Sequence, residues 1–211
     1  MRSDLQALIF DFDGLMIDSE RVEADCIVEV VAGWGHTLTY TDVGHLFGSV
    51  DADDEWEELL QRTCGRTVAE LDDHLRAMTA SRKDVLPLLP GVRELLDVAQ
   101  NRGLRIGLAT GNTITTLQRR LGRHGVFDRF DAIVTRAEVE YGKPEPDIYL
   151  EVANRLSVPT HACLVLEDSV PGCQAALAAG MRVIACPSVV TAHCTFPPDA
   201  QRVTSLVDLT L

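Results

Sequence analysis

Leu8-Ile9-Phe10-Asp11-Phe12-Asp13-Gly14 is the stretch whose reading decides the fold. An uncharged apolar run ends in two acids, two positions apart, and then a glycine. Such a run suits a strand buried on both faces of a parallel sheet. Alternation along a strand starts Asp11 and Asp13 on one side, and Gly14 allows an immediate turn. Two carboxylates at the carboxyl end of a buried strand are costly to desolvate unless a cation or a reaction uses them. The plainer alternative is an acidic turn, because Asp-x-Asp-Gly is frequent in turns. The rest of the chain decides between the two.

Downstream of Gly14 the periodicity is helical. Val22, Cys26, Ile27, Val30 and Val31 recur at helix spacing, with Ser19 read as the N-cap and Gly33 or Gly35 as the stop. Thr41 to Phe47 reads as a short helix ended by Gly48. Trp56, Leu59, Leu60 and Cys64 mark another, ended by Gly65, and Val68, Leu71, Leu75 and Met78 a fourth. From residue 87 the pattern alternates. Helices are expected over Val92–Asn101, Thr113–His124, Pro146–Leu156 and Val170–Ala179. Strands are expected over Arg105–Thr110, Asp131–Thr135, Cys163–Asp168 and Arg182–Cys186, with a last edge strand in Val203–Leu209. Strands alternating with helices specify an α/β fold, a doubly wound parallel sheet with a Rossmann-like core. Residues 1–16 and 87–211 are expected to form that core, and 17–86 an inserted all-helical cap domain. Insertions at the carboxyl ends of such strands lie over the ligand crevice, so the insertion reads as a lid.

The bulk properties narrow the function. The chain has 211 residues, 46% of them hydrophobic, and a net charge of -13. That charge argues against nonspecific nucleic-acid binding and against an anionic membrane surface. An acidic protein that holds an anionic substrate needs a metal, a placed cation or helix N-termini. Lys83 and Lys143 are the only lysines, beside seventeen arginines, which makes their positions informative. The six cysteines form no C-x-x-C pair and read as reduced core residues. No signal pattern precedes Asp11, and no apolar run reaches membrane-spanning length. The expectation is a cytoplasmic protein, a monomer or weak homodimer.

Polar groups gather at strand ends. Asp11 and Asp13 end the first strand, Thr110-Gly111-Asn112 the next, and Glu167-Asp168-Ser169 a later one. Parallel strands bring these ends to one edge of the sheet. Gly142-Lys143-Pro144-Glu145-Pro146-Asp147, in the connection after Asp131–Thr135, can reach the same edge. Asp11, Asp13 and Asp168 offer hard oxygen ligands that suit Mg2+. Thr110 and the amides of Gly111 and Asn112 at a helix N-terminus offer a phosphate cradle. Lys143 adds one cation, and phosphoryl transfer needs mainly positioning and charge neutralisation. Singly, each piece has a bland reading as turn, loop or helix start. Their order and their placement at strand ends are what point to chemistry.

Asp11-Phe12-Asp13-Gly14, Thr110-Gly111-Asn112, Gly142-Lys143-Pro144-x-Pro146-Asp147 and Glu167-Asp168-Ser169 together resemble the four motifs of the haloacid dehalogenase-like superfamily. The helical insertion, Asp18-Ser19-Glu20 and Pro171-Gly172 resemble its beta-phosphoglucomutase and phosphoglycolate phosphatase branch. The resemblance covers nearly the whole chain. It implies Asp11 as nucleophile and Asp13 as general acid/base. It implies Mg2+ held by Asp11, the backbone carbonyl of Asp13 and Asp168, with Glu167 adjoining. It implies Thr110 and Lys143 as holders of the phosphoryl group. The expected activity is Mg2+-dependent hydrolysis of a small phosphorylated metabolite, a sugar or polyol phosphate, through an aspartyl phosphate.

One departure bears on the rival activities. Mutase relatives carry an arginine in the loop that here reads Gly48-Ser49-Val50-Asp51-Ala52-Asp53-Asp54-Glu55, an acidic stretch also readable as the solvated first turn of a helix. A sugar phosphomutase would need a second anion site in the cap, with Arg21, Arg62, Arg76, Arg82 and Lys83 as its sources. Carbon–halogen hydrolysis needs neither the acid at Asp13 nor Mg2+. Phosphonate cleavage would need a Schiff-base lysine in the cap, where Lys83 lies near the hinge. A non-catalytic binding protein on the same fold would have no use for the intact set Asp11, Asp13, Thr110, Lys143 and Asp168.

Overall fold

The computed structural model describes residues 4–48 and 52–211. Strands β1 (Ala7–Phe10), β2 (Arg105–Thr110), β3 (Ala132–Thr135), β4 (Cys163–Glu167), β5 (Arg182–Ala185) and β6 (Gln201–Arg202) form one sheet in the order β3-β2-β1-β4-β5-β6. Every neighbouring pair is parallel. β1 is central, with Phe10 opposite Leu108 on one side and Leu166 on the other. All four of its residues are fully buried, which is why its sequence is uniformly apolar rather than alternating.

Period-two alternation divides β1 between the two faces. Ala7 and Ile9 join the layer of α7 (Asp147–Leu156) and α8 (Val170–Ala178), packing with Tyr149, Val152, Val165 and Cys173. Leu8 and Phe10 join the layer of α5 (Val92–Asn101) and α6 (Ile114–Arg123), packing with Leu96, Leu108, Leu117 and Leu121. Burying one side chain of Phe10's size stabilises by about 1.5–3 kcal/mol. The sheet is therefore held from both faces, and its carboxyl edge is placed by the core rather than by the loops it carries.

The remaining helices are α1 (Ser19–Gly33), α2 (Tyr40–Val43), α3 (Asp53–Cys64) and α4 (Val68–Lys83). They share a separate cluster built on Ile27, Val31, Leu60, Leu71 and Leu75. Among the described residues no strand lies between 17 and 86. α4 starts at a capping box, with Thr67 Oγ1 accepting from the Glu70 amide and Glu70 accepting from the Thr67 amide. α3 stops at Gly65, whose φ of 64° closes the helix. Asp53, Asp54 and Glu55 occupy the first turn of α3, in keeping with the helix-turn reading. Ser49–Asp51 of the acidic stretch lie outside the described residues. Among the described residues no helix is long and apolar enough to cross a membrane.

Two expectations are corrected. Ser19 is not the N-cap of α1; it is the first helical residue, and Asp18 holds the cap position without a side-chain bond. The Ser19 hydroxyl instead donates to Asp13 Oδ1 at 2.5 Å. The last strand is not Val203–Leu209 but Gln201–Arg202, which pairs with Ile184 and Ala185. Leu206–Asp208 forms a 3-10 turn, because Ser205 Oγ captures the Val207 amide and Leu206 is buried against the start of α5. Local turn chemistry there outweighs β propensity.

Candidate active site

The Asp11 amide donates to Leu166 O at 3.0 Å, extending the ladder one residue past β1. That bond keeps the Asp11 backbone in register beside β4. The chain then turns through Gly14, which has a φ of 76°. A Cβ at Gly14 would lie 2.0 Å from Asp168 Oδ2 and 2.9 Å from Glu20 Oε2. Conformation and space both demand glycine there.

Lys143 arrives from the loop after β3, where the Glu145 amide closes a turn onto Gly142 O at 2.9 Å. Its ammonium is buried and bridges two carboxylates, at 2.5 Å from Asp11 Oδ1 and 2.6 Å from Glu167 Oε1. The ring of Tyr149 lies 5.2 Å from Nζ, and its hydroxyl donates to Glu167 Oε1 at 2.7 Å. The other oxygen of Glu167 accepts from the amides of Asp168 and Ser169 and from the Ser169 hydroxyl. Ser169 also starts α8, accepting from the Gly172 amide at 3.2 Å. Gly172 lets that helix come so close that a Cβ on it would meet Glu167 Oε1 at 1.8 Å.

Asp168 is buried, and neither of its carboxylate oxygens has a hydrogen-bond partner. Oxygens of Asp11, Glu167 and Asp168 lie within 4.8 Å of one another. Burial pushes the Asp168 carboxyl well above its usual range, and Glu20 and Glu167 add to that. Asp11 is likewise raised by burial, against the pull of Lys143. Glu167 goes the other way: burial would raise it, but Lys143 and the surrounding donors hold it low. Burial also works against the Lys143 charge, yet Asp11 and Glu167 keep it firmly protonated. Two carboxylates thus share one lysine, and the orphaned oxygens of a third lie beside them. A hard divalent cation fits that donor set.

Asp13 belongs to a different network. Its Oδ1 takes the Ser19 hydroxyl and lies 3.8 Å from Arg120 Nη1, and its Oδ2 takes the Asn112 side-chain amide. Its carboxylate stands outside the three-acid group. Thr110 is fully buried, and its Oγ1 accepts from the Asn112 amide at 3.0 Å. α6 starts only at Ile114, capped by Thr113, so the Asn112 amide is spent within the turn and is not a helix-end donor. Gly111 does line the cleft.

The cleft has a volume of about 320 Å³. Asp11, Asp13, Gly111, Lys143 and Asp168 form its sheet side, while Trp56, Leu71, Asp72 and Leu75 face them from α3 and α4. None of Arg21, Arg62, Arg76, Arg82 or Lys83 lines it. Lys83 pairs instead with Glu23, Arg82 with Glu29 at 3.1 Å, and Arg21 lies 3.8 Å from Asp18.

Sequence reasoning missed four members. Tyr149 reads as core in an apolar helix. Arg120 reads as a surface charge beside Arg119. Arg136, just past β3, enters the lining unannounced. Thr191, buried in the loop after β5, donates to Asp168 O at 2.7 Å. No spacing marks any of them, because each reaches the site through packing between distant segments.

Comparison with known proteins gives consistent findings. The family model described as haloacid dehalogenase-like hydrolase matches residues 5–180. YhcW of Bacillus subtilis (strain 168) is 34% identical over 209 residues, covering 98% of this chain and 94% of YhcW. Hexitol phosphatase B of Escherichia coli (strain K12) is 33% identical over 196 residues, covering 86% and 83%. A crystal structure of a CbbY variant from Rhodobacter sphaeroides, in complex with xylulose-(1,5)bisphosphate, superposes with a TM-score of 0.75. It is 26% identical and covers 97% of this chain and 96% of its own.

Proposed function

Since the chain belongs to the haloacid dehalogenase-like hydrolase family, as a phosphoric monoester hydrolase, we propose that it releases inorganic phosphate from small sugar or polyol phosphates through a phosphorylated Asp11. The observation that carries this reading is the buried bridge of Lys143 between Asp11 and Glu167, with the unpartnered oxygens of Asp168 beside it.

In this reading Lys143 engages Asp11 Oδ1, and the second carboxylate oxygen attacks phosphorus. Asp13, oriented from both of its oxygens, gives a proton to the leaving oxygen and then takes one from the water that cleaves the aspartyl phosphate. Lys143 offsets charge on the transferring phosphoryl group while Glu167 holds the ammonium in place. Asp11, Asp168 and the Asp13 carbonyl, with Glu167 adjoining, would hold Mg2+, which when bound supplies further neutralisation of phosphoryl charge. Residues 17–86 act as the cap, screening the reaction from bulk water.

Substrate class rests on relatives: hexitol phosphatase B and a phosphorylated carbohydrates phosphatase are both similar to this chain. Hydrolysis is favoured over mutation because the described cleft lining from α3 and α4 contains Asp53 and Asp72 and no base. A second phosphate on that side would meet like charge. The test follows β-glucose 1-phosphate and sorbitol 6-phosphate by 31P NMR. Inorganic phosphate is the expected product, without a bisphosphate activator. Formation of glucose 6-phosphate outpacing phosphate release would establish a mutase instead.

A further inference from the structure

Arg120 is a buried arginine that the chemistry above leaves unused. It sits on α6, whose outer residues touch the linker that returns from α4. Arg119 donates to Asp84 Oδ1 at 2.9 Å, Arg120 Nε reaches the same oxygen at 3.3 Å, and a ring nitrogen of His124 bonds Leu86 O at 2.9 Å. The side chains of Arg119 and His124 bond the linker alone among the described residues. Among the described residues Arg120 alone goes further, from Asp84 to within 3.8 Å of Asp13 Oδ1. Asp84 is the C-cap residue of α4. Ser19, which donates to that same Asp13 oxygen, is the first residue of α1. Both linkers of the helical segment therefore end on Asp13, one through a hydroxyl and the other through a buried guanidinium.

We propose that Arg120 is a positioning residue for Asp13, anchored by Asp84, which sets where the Asp13 carboxyl meets the leaving-group oxygen and ties that placement to the returning linker. The inference rests on the reading of Asp13 as acid/base. A planar guanidinium held by one carboxylate presents its remaining N–H groups in a fixed direction, which a lysine or a solvent-exposed arginine does not. Removing it leaves the Asp13 carboxylate, among the described residues, with Ser19 and Asn112, neither of which reports the position of residue 84.

Proton donation matters in proportion to how poor the leaving group is. Single-turnover rates are therefore compared for sorbitol 6-phosphate, an unactivated alkyl ester, and 2,4-dinitrophenyl phosphate, whose leaving group needs no proton. Arg120→Met should lower the alkyl rate about 10- to 100-fold more than the aryl rate, a part of the roughly 10²–10⁴-fold that general acid catalysis contributes. Arg119→Met, which breaks the same Asp84 contact without touching Asp13, should leave the ratio of the two rates unchanged. Adding Arg120→Met to Asp13→Asn should not alter that ratio further, because the two act as a unit. Arg120→Lys keeps the charge without the fork, should fall between, and decides the matter if the methionine variant does not fold. Equal losses on both esters, or a full additional loss in the double variant, would overturn the assignment. Asp11→Asn is run alongside: turnover there strikes the phosphatase reading itself, whereas equal losses with an inert Asp11→Asn strike Arg120 alone.

Discussion

The two sides of the cleft are built on opposite principles. On the sheet edge Asp11, Lys143, Glu167 and Asp168 are each at most 6% exposed, and every one but Asp168 is locked by ion pairs or hydrogen bonds. On the helical side Asp53 and Asp72 are exposed, with Trp56 half-buried between apolar neighbours. A buried charge has few arrangements it can tolerate, so the edge defines one chemistry. An exposed acid on a helix stays solvated and tolerates many arrangements, so the opposite face is far less constrained. Chemistry should therefore be brittle to substitution on the edge and tolerant on the helices.

The sharpest contrast is expected at Asp11. Asp11→Asn should reduce turnover by about 10⁴-fold or more, since an amide does not attack phosphorus. Circular dichroism should show an intact fold. Next comes Lys143→Met, which leaves Asp11 and Glu167 buried without their shared cation. Loss of about 3–5 kcal/mol in denaturant unfolding is expected, together with a fall in kcat/KM. A stable, active Lys143→Met protein would remove the edge's claim to be brittle.

Cation binding should come third. Asp168 contributes two unpartnered oxygens, so Mg2+ should raise the melting temperature by about 5–10 °C when present at a hundredfold excess over its Kd. Asp168→Ala should abolish most of that rise. A melting curve indifferent to Mg2+ would mean the three-acid group is not a metal site. Gly172→Ala follows, costing about 1–3 kcal/mol because the added methyl displaces Glu167. Its kcat should drop as well, since Glu167 holds Lys143. The smallest effect is reserved for the helical face, where Asp72→Asn should change kcat on sorbitol 6-phosphate by less than about threefold, as exposed charges usually do. An effect there as large as at Gly172 would blur the contrast.

This division also governs what the sequence discloses. β1 is legible because double burial leaves only apolar residues, and Arg105–Thr110 because the same rule applies to its neighbour. The edge residues Asp11, Lys143, Glu167 and Asp168 stand out because strand ends bring them together in any doubly wound sheet. Ser19 deceived because a hydroxyl at a helix start has two possible partners, and Asp13 six residues earlier wins it. The Asn112 amide bonds Thr110 Oγ1 within the turn, a local pairing that the strand-to-helix pattern does not display. Arg120 was illegible for another reason. Its burial follows from the Asp84 linker folding back on α6, a contact 36 residues apart that no local pattern encodes.

The central claim is that Asp11 carries the phosphoryl group. The direct measurement is to quench the enzyme during turnover of sorbitol 6-phosphate, reduce with borohydride, and map the peptide holding residue 11 by mass spectrometry. An aspartyl phosphate is reduced to homoserine while an ordinary carboxylate is not. Homoserine is expected at position 11, dependent on substrate and absent without it. An unmodified Asp11 peptide from an enzyme caught in rapid phosphate release would contradict it.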